Sequence, residues 1–86
     1  MILTVFWAFG QTRITGQVRD TSQEPLVGVS IFLKGTTTGA VSDEQGRFVL
    51  DLPSGDGVLR LTYAGYTALD VPLAGKSTFD IVLESS

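Results

Sequence analysis

The sequence lacks cysteine and histidine altogether, and each absence excludes a kind of chemistry. Without cysteine, no disulfide can stabilise the chain. Without histidine, the usual general base, the usual proton shuttle and the commonest zinc ligand are missing together. The nucleophiles that remain are serine, threonine and lysine, and the acids that remain are aspartate and glutamate. We therefore expect a protein that is not an enzyme and that holds no metal or other cofactor.

Clusters of positive charge are absent as well. Six basic and nine acidic residues give a net charge of −3, and they are spread along the chain. Because no basic run exists, we do not expect a nucleic-acid partner. The 86 residues suffice for one domain with a modest core. Ten glycines, with many β-branched and aromatic residues, favour strands joined by tight turns.

The first eleven residues differ from the rest of the chain. Met1–Phe9 is almost wholly apolar but too short to cross a bilayer as a helix, which takes about 20 residues. Its length suits a signal peptide, and Ala8 and Gly10 supply small residues near a cleavage point, although the positive start is missing. One interpretation is a signal-peptide remnant over residues 1–11. The other is an extra N-terminal strand, whose alternate side chains a homodimer could bury.

Residues 12–86 have the pattern of an all-β domain. Apolar and polar side chains alternate in about seven short segments that end at glycine or proline, which predicts a β-sandwich. No sustained period of 3.6 residues is present, so we expect almost no helix. The predicted strands are Arg13–Asp20, Leu26–Lys34, Ala40–Ser42, Arg47–Leu52, Val58–Ala64, Thr67–Leu73 and Thr78–Glu84. The side chains predicted to point inward include Ile14, Val18, Val29, Ile31, Leu33, Phe48, Leu50, Leu59, Leu61, Tyr63, Leu69, Val71, Leu73, Phe79, Ile81 and Leu83.

A tight turn before the fourth strand is the most informative local feature. Asp43 can accept hydrogen bonds from the backbone just ahead of it, and Gly46 can take the positive φ that a reversal requires. The same turn suggests calcium binding, but Gln45 and Arg47 interrupt any series of oxygen ligands. We therefore interpret Asp43 as a turn residue.

We expect further fold-defining turns at Gly28, Gly35 and Gly65. Gly65 stands between two tyrosines, where it would form a bend or bulge. In a structural role, Tyr63 packs inward and Tyr66 anchors the corner through its hydroxyl. In a functional role, the two rings form a platform on which a sugar stacks.

Other candidate sites are weaker. A serine–lysine catalytic pair would need Lys34 or Lys76 buried near a serine, whereas both lie where strands end or turn. The tract Thr36–Thr38 could offer hydroxyls to a sugar, but β-branched residues also suit an extended polar edge.

Four apolar residues fall on outward positions of the predicted strands. If several of them lie on one sheet, they form a patch suited to docking on another protein. This candidate interaction surface consists of Phe32, Val49, Val58 and Val82.

Six segments, in order and spacing, resemble the carboxypeptidase regulatory-like domain. They are Ile14–Asp20, Glu24–Ile31, Lys34–Gly39, Asp43–Phe48, Tyr63–Tyr66 and Asp80–Glu84. The chain is most similar to the copy at the start of SusC-like, TonB-dependent outer-membrane transporters of Bacteroidetes. The resemblance implies a transthyretin-like Greek-key sandwich. It also implies a place on the periplasmic side of the outer membrane, ahead of a TonB box, a plug and a barrel.

The family fixes the fold more firmly than the function, and we expect a role through protein contacts. The preferred hypothesis is an exported accessory domain of a TonB-dependent nutrient transporter, whose partners are the rest of that transporter, the TonB system or a SusD-like protein. One alternative is a carbohydrate- or surface-binding module of an extracellular protein. Another is a stabilising appendage of a metallocarboxypeptidase, because the same module occurs beside such enzymes and the fold alone does not fix the function.

Overall fold

A computed structural model describes residues 11–86, which form seven β-strands and no helix. The strands are β1 (Thr12–Asp20), β2 (Ser30–Leu33), β3 (Gly39–Val41), β4 (Arg47–Leu52), β5 (Val58–Thr62), β6 (Leu69–Pro72) and β7 (Thr78–Leu83). This part of the chain contains no helix that is long and apolar enough to cross a membrane. Both interpretations of residues 1–11 concern a segment that, except for Gln11, lies outside the described residues.

The strands form two sheets that face each other. One sheet has the order β4-β1-β7, and the other has the order β3-β2-β5-β6. β1 and β7 run parallel, with Thr15 opposite Thr78, and every other pair of neighbouring strands is antiparallel. The edge strands β3 and β4 of the two sheets contact each other, which closes one side of the sandwich. The other two edge strands, β6 and β7, lie on the opposite side. The all-β, seven-stranded sandwich predicted from the sequence is confirmed.

The core lies between the sheets and consists of the inward side chains of nearly every strand. In β4 and β7, every second residue is buried, as the alternation predicts. The buried apolar residues are Ile14, Val18, Leu26, Val29, Ile31, Leu33, Phe48, Leu50, Leu52, Leu59, Leu61, Leu73, Phe79, Ile81 and Leu83. Each large side chain removed from water contributes about 1.5–3 kcal/mol before the entropy of ordering is subtracted.

Three predicted strands differ from the observed ones by two or more residues at one end, whereas the bounds of β1, β3 and β7 differ by no more than one residue at either end. β2 begins at Ser30 rather than Leu26, because the chain turns at Gly28, which has a φ of 89°. β5 ends at Thr62 rather than Ala64, since the next residues form a turn. β6 covers only Leu69–Pro72 within the predicted segment 67–73.

One predicted inward side chain is not well covered. Leu69 lies opposite Leu61 on the inner side of its sheet, yet it remains 37% exposed. Val71, on the same side of β6, is only half-buried. β6 is an edge strand of the larger sheet, and the smaller sheet has one strand fewer. The inner side of β6 therefore lies partly beyond the facing sheet.

The turn before β4 is held by the side chain of Asp43. Its Oδ1 accepts hydrogen bonds from the backbone N–H of Gln45 at 2.9 Å and of Arg47 at 2.8 Å. Gly46 has a φ of 76° and is buried against the backbone carbonyl of Val18. Because a side chain at Gly46 would meet that carbonyl, glycine is required both by the backbone conformation and by the close approach.

A buried serine joins the loop before β2 to the end of β3. The Ser42 hydroxyl accepts a hydrogen bond from the N–H of Val29 at 2.9 Å and donates one to the carbonyl of Leu26 at 2.7 Å. Its backbone carbonyl accepts a further bond from the N–H of Gly28 at 3.0 Å. Ser42 thereby satisfies buried backbone groups that the loop would otherwise leave unpaired.

Candidate interaction surfaces

The outer face of the larger sheet carries two of the four predicted surface residues. Phe32 lies between Gly39 of β3 and Arg60 of β5, and Val58 lies opposite Pro72 of β6. Both Phe32 and Val58 are half-buried. The face is therefore mixed, with apolar side chains close to the charge of Arg60.

Three charged side chains form an ion-pair group on this face. Asp70 accepts hydrogen bonds from Lys34 Nζ at 3.0 Å and from Arg60 Nη1 at 3.1 Å, one on each carboxylate oxygen. The hydrogen bond from Lys34 is the main reason that the pKa of Asp70 lies below its ordinary value of 3.8. The charges of Lys34 and Arg60 act in the same direction, and desolvation acts against them.

The outer face of the smaller sheet carries the other two predicted residues. Val49 is 51% exposed and lies opposite Thr15, whereas Val82 is 44% exposed and lies opposite Arg19. This face also holds two ion pairs: Arg13–Asp51 at 3.0 Å and Arg19–Asp80 at 3.7 Å. The hydrogen bond to Asp51 raises the pKa of Arg13.

The four residues therefore do not form one patch. Phe32 and Val58 lie on one outer face of the sandwich, and Val49 and Val82 lie on the opposite outer face. Each outer face alternates apolar and charged side chains. Strand alternation predicted the outward direction of each residue but not the sheet to which its strand belongs.

The two tyrosines meet at the corner that follows β5. Their ring centroids are 5.3 Å apart and the rings are tilted by 35°. Tyr63 is half-buried against the core, and Tyr66 pairs through its backbone with Ser85. Gly65 between them has a φ of 87°. Among residues 11–86, no hydrogen bond involves the Tyr66 hydroxyl, so the corner is held by ring contact and backbone pairing rather than by that hydroxyl.

Both tyrosine rings pack against the core, and they also line a surface pocket with Gly28, Thr62 and Ala64, so the sugar platform stays a prediction. The face that each ring presents to the other is not free to stack on a ligand. The threonine tract has a structural role as well, because Thr36 Oγ1 donates to the carbonyl of Leu33 and accepts from the N–H of Thr38.

The residues that the sequence analysis considered and rejected for catalysis and calcium binding have structural partners too. The lysines considered for a serine–lysine pair have other partners: Lys34 forms an ion pair with Asp70, and Lys76 Nζ lies 5.7 Å from the ring centroid of Phe79. Asp43 directs one oxygen to the backbone of its own turn. Residues 11–86 contain no cluster of three acidic, histidine or cysteine residues able to hold a metal ion.

Comparison with known proteins agrees with this fold. The family model of the CarboxypepD_reg-like domain matches residues 14–86. The chain belongs to this family. The CarboxypepD_reg-like domain thus accounts for every strand of the sandwich, and the resemblance found in the sequence is confirmed.

The similar curated proteins are receptors. The chain is 36% identical over 66 residues to the TonB-dependent receptor SusC of Bacteroides thetaiotaomicron, an alignment that covers 77% of this chain. It is 33% identical over 75 residues to the TonB-dependent receptor P39 of Formosa agariphila, which covers 87% of this chain. These alignments cover only 6% and 7% of the two receptors, so the CarboxypepD_reg-like domain corresponds to a small part of each.

Solved structures share the fold at low sequence identity. A chain of a mutant type II cohesin–X-dockerin complex from Acetivibrio cellulolyticus superposes with a TM-score of 0.67 at 19% identity, covering 84% of this chain and 56% of that one. The 3-chlorocatechol 1,2-dioxygenase of Rhodococcus opacus 1CP superposes with a TM-score of 0.63 at 14% identity, covering 90% of this chain and 61% of that one. These likenesses establish the β-sandwich alone.

Proposed function

We propose that this chain is a non-enzymatic accessory domain of a TonB-dependent outer-membrane nutrient transporter. The domain lies on the periplasmic side of the membrane, after export through a signal peptide, and acts through contacts with other proteins. Its partners are the TonB box, the plug and the barrel of the same transporter, with the TonB system or a SusD-like protein as further candidates. The observation that supports this best is the 36% identity to the receptor SusC over 77% of the chain.

The surface chemistry supports a binding role rather than catalysis. The ionisable groups with perturbed pKa values, Arg13 and Asp70, are exposed members of ion pairs and do not line a buried cleft. Perturbed groups at an active site usually combine burial with a charged partner, which neither residue does. The outer faces instead alternate apolar and charged side chains, so both apolar contact and ion pairing are available to a partner protein.

Two experiments test this proposal. The first is to read the intact gene: we expect a TonB box, a plug and a barrel after the domain, whereas a hydrolase in their place would contradict the proposal. The second is to tag the domain in the intact protein and treat cells with protease before and after the outer membrane is permeabilised. We expect cleavage of the tag only after permeabilisation; cleavage in intact cells would place the domain outside the cell and favour a surface-binding module.

A further inference from the structure

The sandwich has an open side between β6 and β7. The larger sheet ends in β6 and the smaller sheet ends in β7, with no strand of residues 11–86 beside either one at these outer edges. A groove between them is lined by Thr67–Leu69 and by Val82–Glu84. The partly exposed Leu69 lies in this groove on the inner side of β6. One further strand beside β7 would complete the smaller sheet and cover Leu69.

The hydrogen bonds of β1 show which backbone groups of β7 are available. Thr15 donates its N–H to the carbonyl of Ser77 at 2.9 Å, and Thr15 lies opposite Thr78 in the parallel register. In such a ladder, alternate residues of a strand bond to one neighbour. The residues that bond to β1 are therefore Phe79, Ile81 and Leu83. The backbone groups of Thr78, Asp80 and Val82 point to the open edge.

The continuation of β7 shows that this edge can pair. Thr67 donates its N–H to the carbonyl of Glu84 at 2.8 Å, on the side of β7 away from β1. Tyr66 and Ser85 continue this antiparallel pairing. The chain itself therefore occupies the edge beyond Leu83, and among the described residues the edge from Thr78 to Val82 is unpaired.

The other edges are less suited to an added strand. β6 has four residues, and Pro72 supplies no N–H at one of its outer positions. β3 has only three residues. The start of β4 is already bonded on its outer side, where the carbonyl of Arg47 accepts from the N–H of Asp43. A short strand and an edge proline are common protections against strand addition, and β7 has neither.

The side chains next to the free edge define what kind of strand fits. On the inner side, an added strand would contact the groove that contains Leu69, which favours apolar residues. On the outer side, Asp80 forms a 3.7 Å ion pair with Arg19 yet remains 77% exposed, and Glu84 lies on the same face of the strand. Opposite charges on neighbouring strands stabilise pairing, so basic residues are favoured there. A second copy fits less well, because a two-fold pairing centred on Asp80 would place two carboxylates opposite each other and each chain carries a net charge of −3.

We propose that the free edge of β7 binds an extended segment of a partner protein, one whose side chains alternate between apolar and basic. The segment adds as a fourth strand to the sheet β4-β1-β7. Its backbone bonds to Thr78, Asp80 and Val82, its apolar side chains cover Leu69, and its basic side chains face Asp80. Main-chain pairing then gives affinity and the alternating side chains give selectivity. This inference depends on the edge geometry and stands independently of the parent transporter.

Amide hydrogen exchange on the full chain tests whether the edge is free. We expect fast exchange at Thr78, Asp80 and Val82 and slow exchange at Phe79 and Ile81, which bond to β1. Slow exchange at all five amides, in dilute protein and without any peptide, would overturn the proposal. It would mean that residues 1–11 or a second copy already occupy this edge, and a concentration series would distinguish these two occupants.

Peptide titration followed by NMR tests the occupant. The probe is the capped heptapeptide KVTVKVT, and the control is EVTVEVT, in which glutamate replaces lysine. We expect saturable shifts centred on β7 and Leu69 with the lysine peptide, slower exchange at Asp80 and Val82, and binding at least about tenfold weaker with the glutamate peptide. No saturable binding of the lysine peptide, or shifts centred on another edge, would contradict the proposal.

Matched variants test the geometry. Val82→Pro removes an N–H that points to the open edge and leaves the bonds to β1 in place, whereas Val82→Thr keeps that N–H. We expect Val82→Pro to weaken peptide binding about tenfold or more and Val82→Thr to change it little. Asp80→Lys should reverse the preference between the two peptides. Equal binding by the proline and threonine variants, each shown to be folded by its NMR spectrum, would exclude pairing at this edge.

Discussion

The ring of Phe48 lies over Gly16, the residue directly opposite it on the neighbouring strand. A Cβ on Gly16 would lie 2.6 Å from Cε2 of Phe48 and 2.9 Å from the carbonyl oxygen of Phe79. An aromatic ring over a strand glycine covers backbone that would otherwise be exposed and fixes the register of the pair. The absence of a side chain at Gly16 is therefore part of the core packing.

Gly16→Ala should destabilise the domain. The new methyl group has no room beside Phe48, so the ring must move, and overpacking of this kind costs about 1–3 kcal/mol. Urea denaturation measures the change. Gly55→Ala is the matched control, because its Cβ would meet only Gly75 at the ordinary distance of 3.5 Å. Equal stability of the two variants would contradict the packing described for Phe48.

Gly46→Val should destabilise the domain by more than about 1 kcal/mol, since a β-branched residue is poorly tolerated at positive φ. Gly35→Val is the control: its φ of 83° is similar, but no atom would lie within 4 Å of its Cβ. We expect a larger loss of unfolding free energy at Gly46, where a side chain would also meet the Val18 carbonyl. Equal losses would show that backbone conformation alone matters, and no loss at Gly46 would show that the turn is wrongly placed.

Ser42→Ala should lower the free energy of unfolding by about 1–3 kcal/mol, because it leaves a buried donor and a buried acceptor without partners. Amide exchange provides a local measurement, and we expect faster exchange at Val29, whose N–H bonds to the Ser42 hydroxyl. Ser30→Ala is the control, since among residues 11–86 the Ser30 hydroxyl makes no hydrogen bond. If Ser42→Ala were as stable as Ser30→Ala, the structural role of the Ser42 hydroxyl would be contradicted.

The ion pairs of Asp70 predict how stability depends on pH. Its pKa is lower in the folded chain than the ordinary 3.8, so ionised Asp70 stabilises the fold above about pH 4, and this contribution is lost as the pH falls through the folded pKa. We expect the stability difference between the natural chain and Asp70→Asn to shrink below about pH 4 and in high salt. Asp56→Asn is a surface control. If the stability difference between the natural chain and Asp70→Asn stayed constant from neutral to acid pH, the stabilising role of the Asp70 ion pairs would be contradicted.

Much of the fold can be predicted from the sequence because strand alternation is a local signal. The bounds of β4 are as predicted, and its inward residues Phe48 and Leu50 are buried. The turn at Asp43 and Gly46 is also local, since its side-chain bonds join residues four or fewer positions apart. Patterns of this range predict which residues point inward and where the chain reverses.

The features that the sequence did not reveal depend on pairing between distant segments. Ser42 reads as an ordinary polar residue, and its role depends on the loop that precedes β2, 13 positions away. Likewise, the exposure of Leu69 follows from the unequal number of strands in the two sheets. The division of the outward residues Phe32 and Val82 between opposite faces follows from the sheet order. The sequence does offer one indication of this role, because Ser42 is a small polar residue between a predicted strand and a predicted turn.

The most direct test of the proposed function compares nutrient uptake by cells that express the full-length transporter with uptake by cells whose transporter lacks residues 12–86. We expect uptake to fall while the amount of barrel in the outer membrane stays the same, because the domain acts through contacts and the barrel still provides the path. Unchanged uptake at equal barrel abundance would contradict the account.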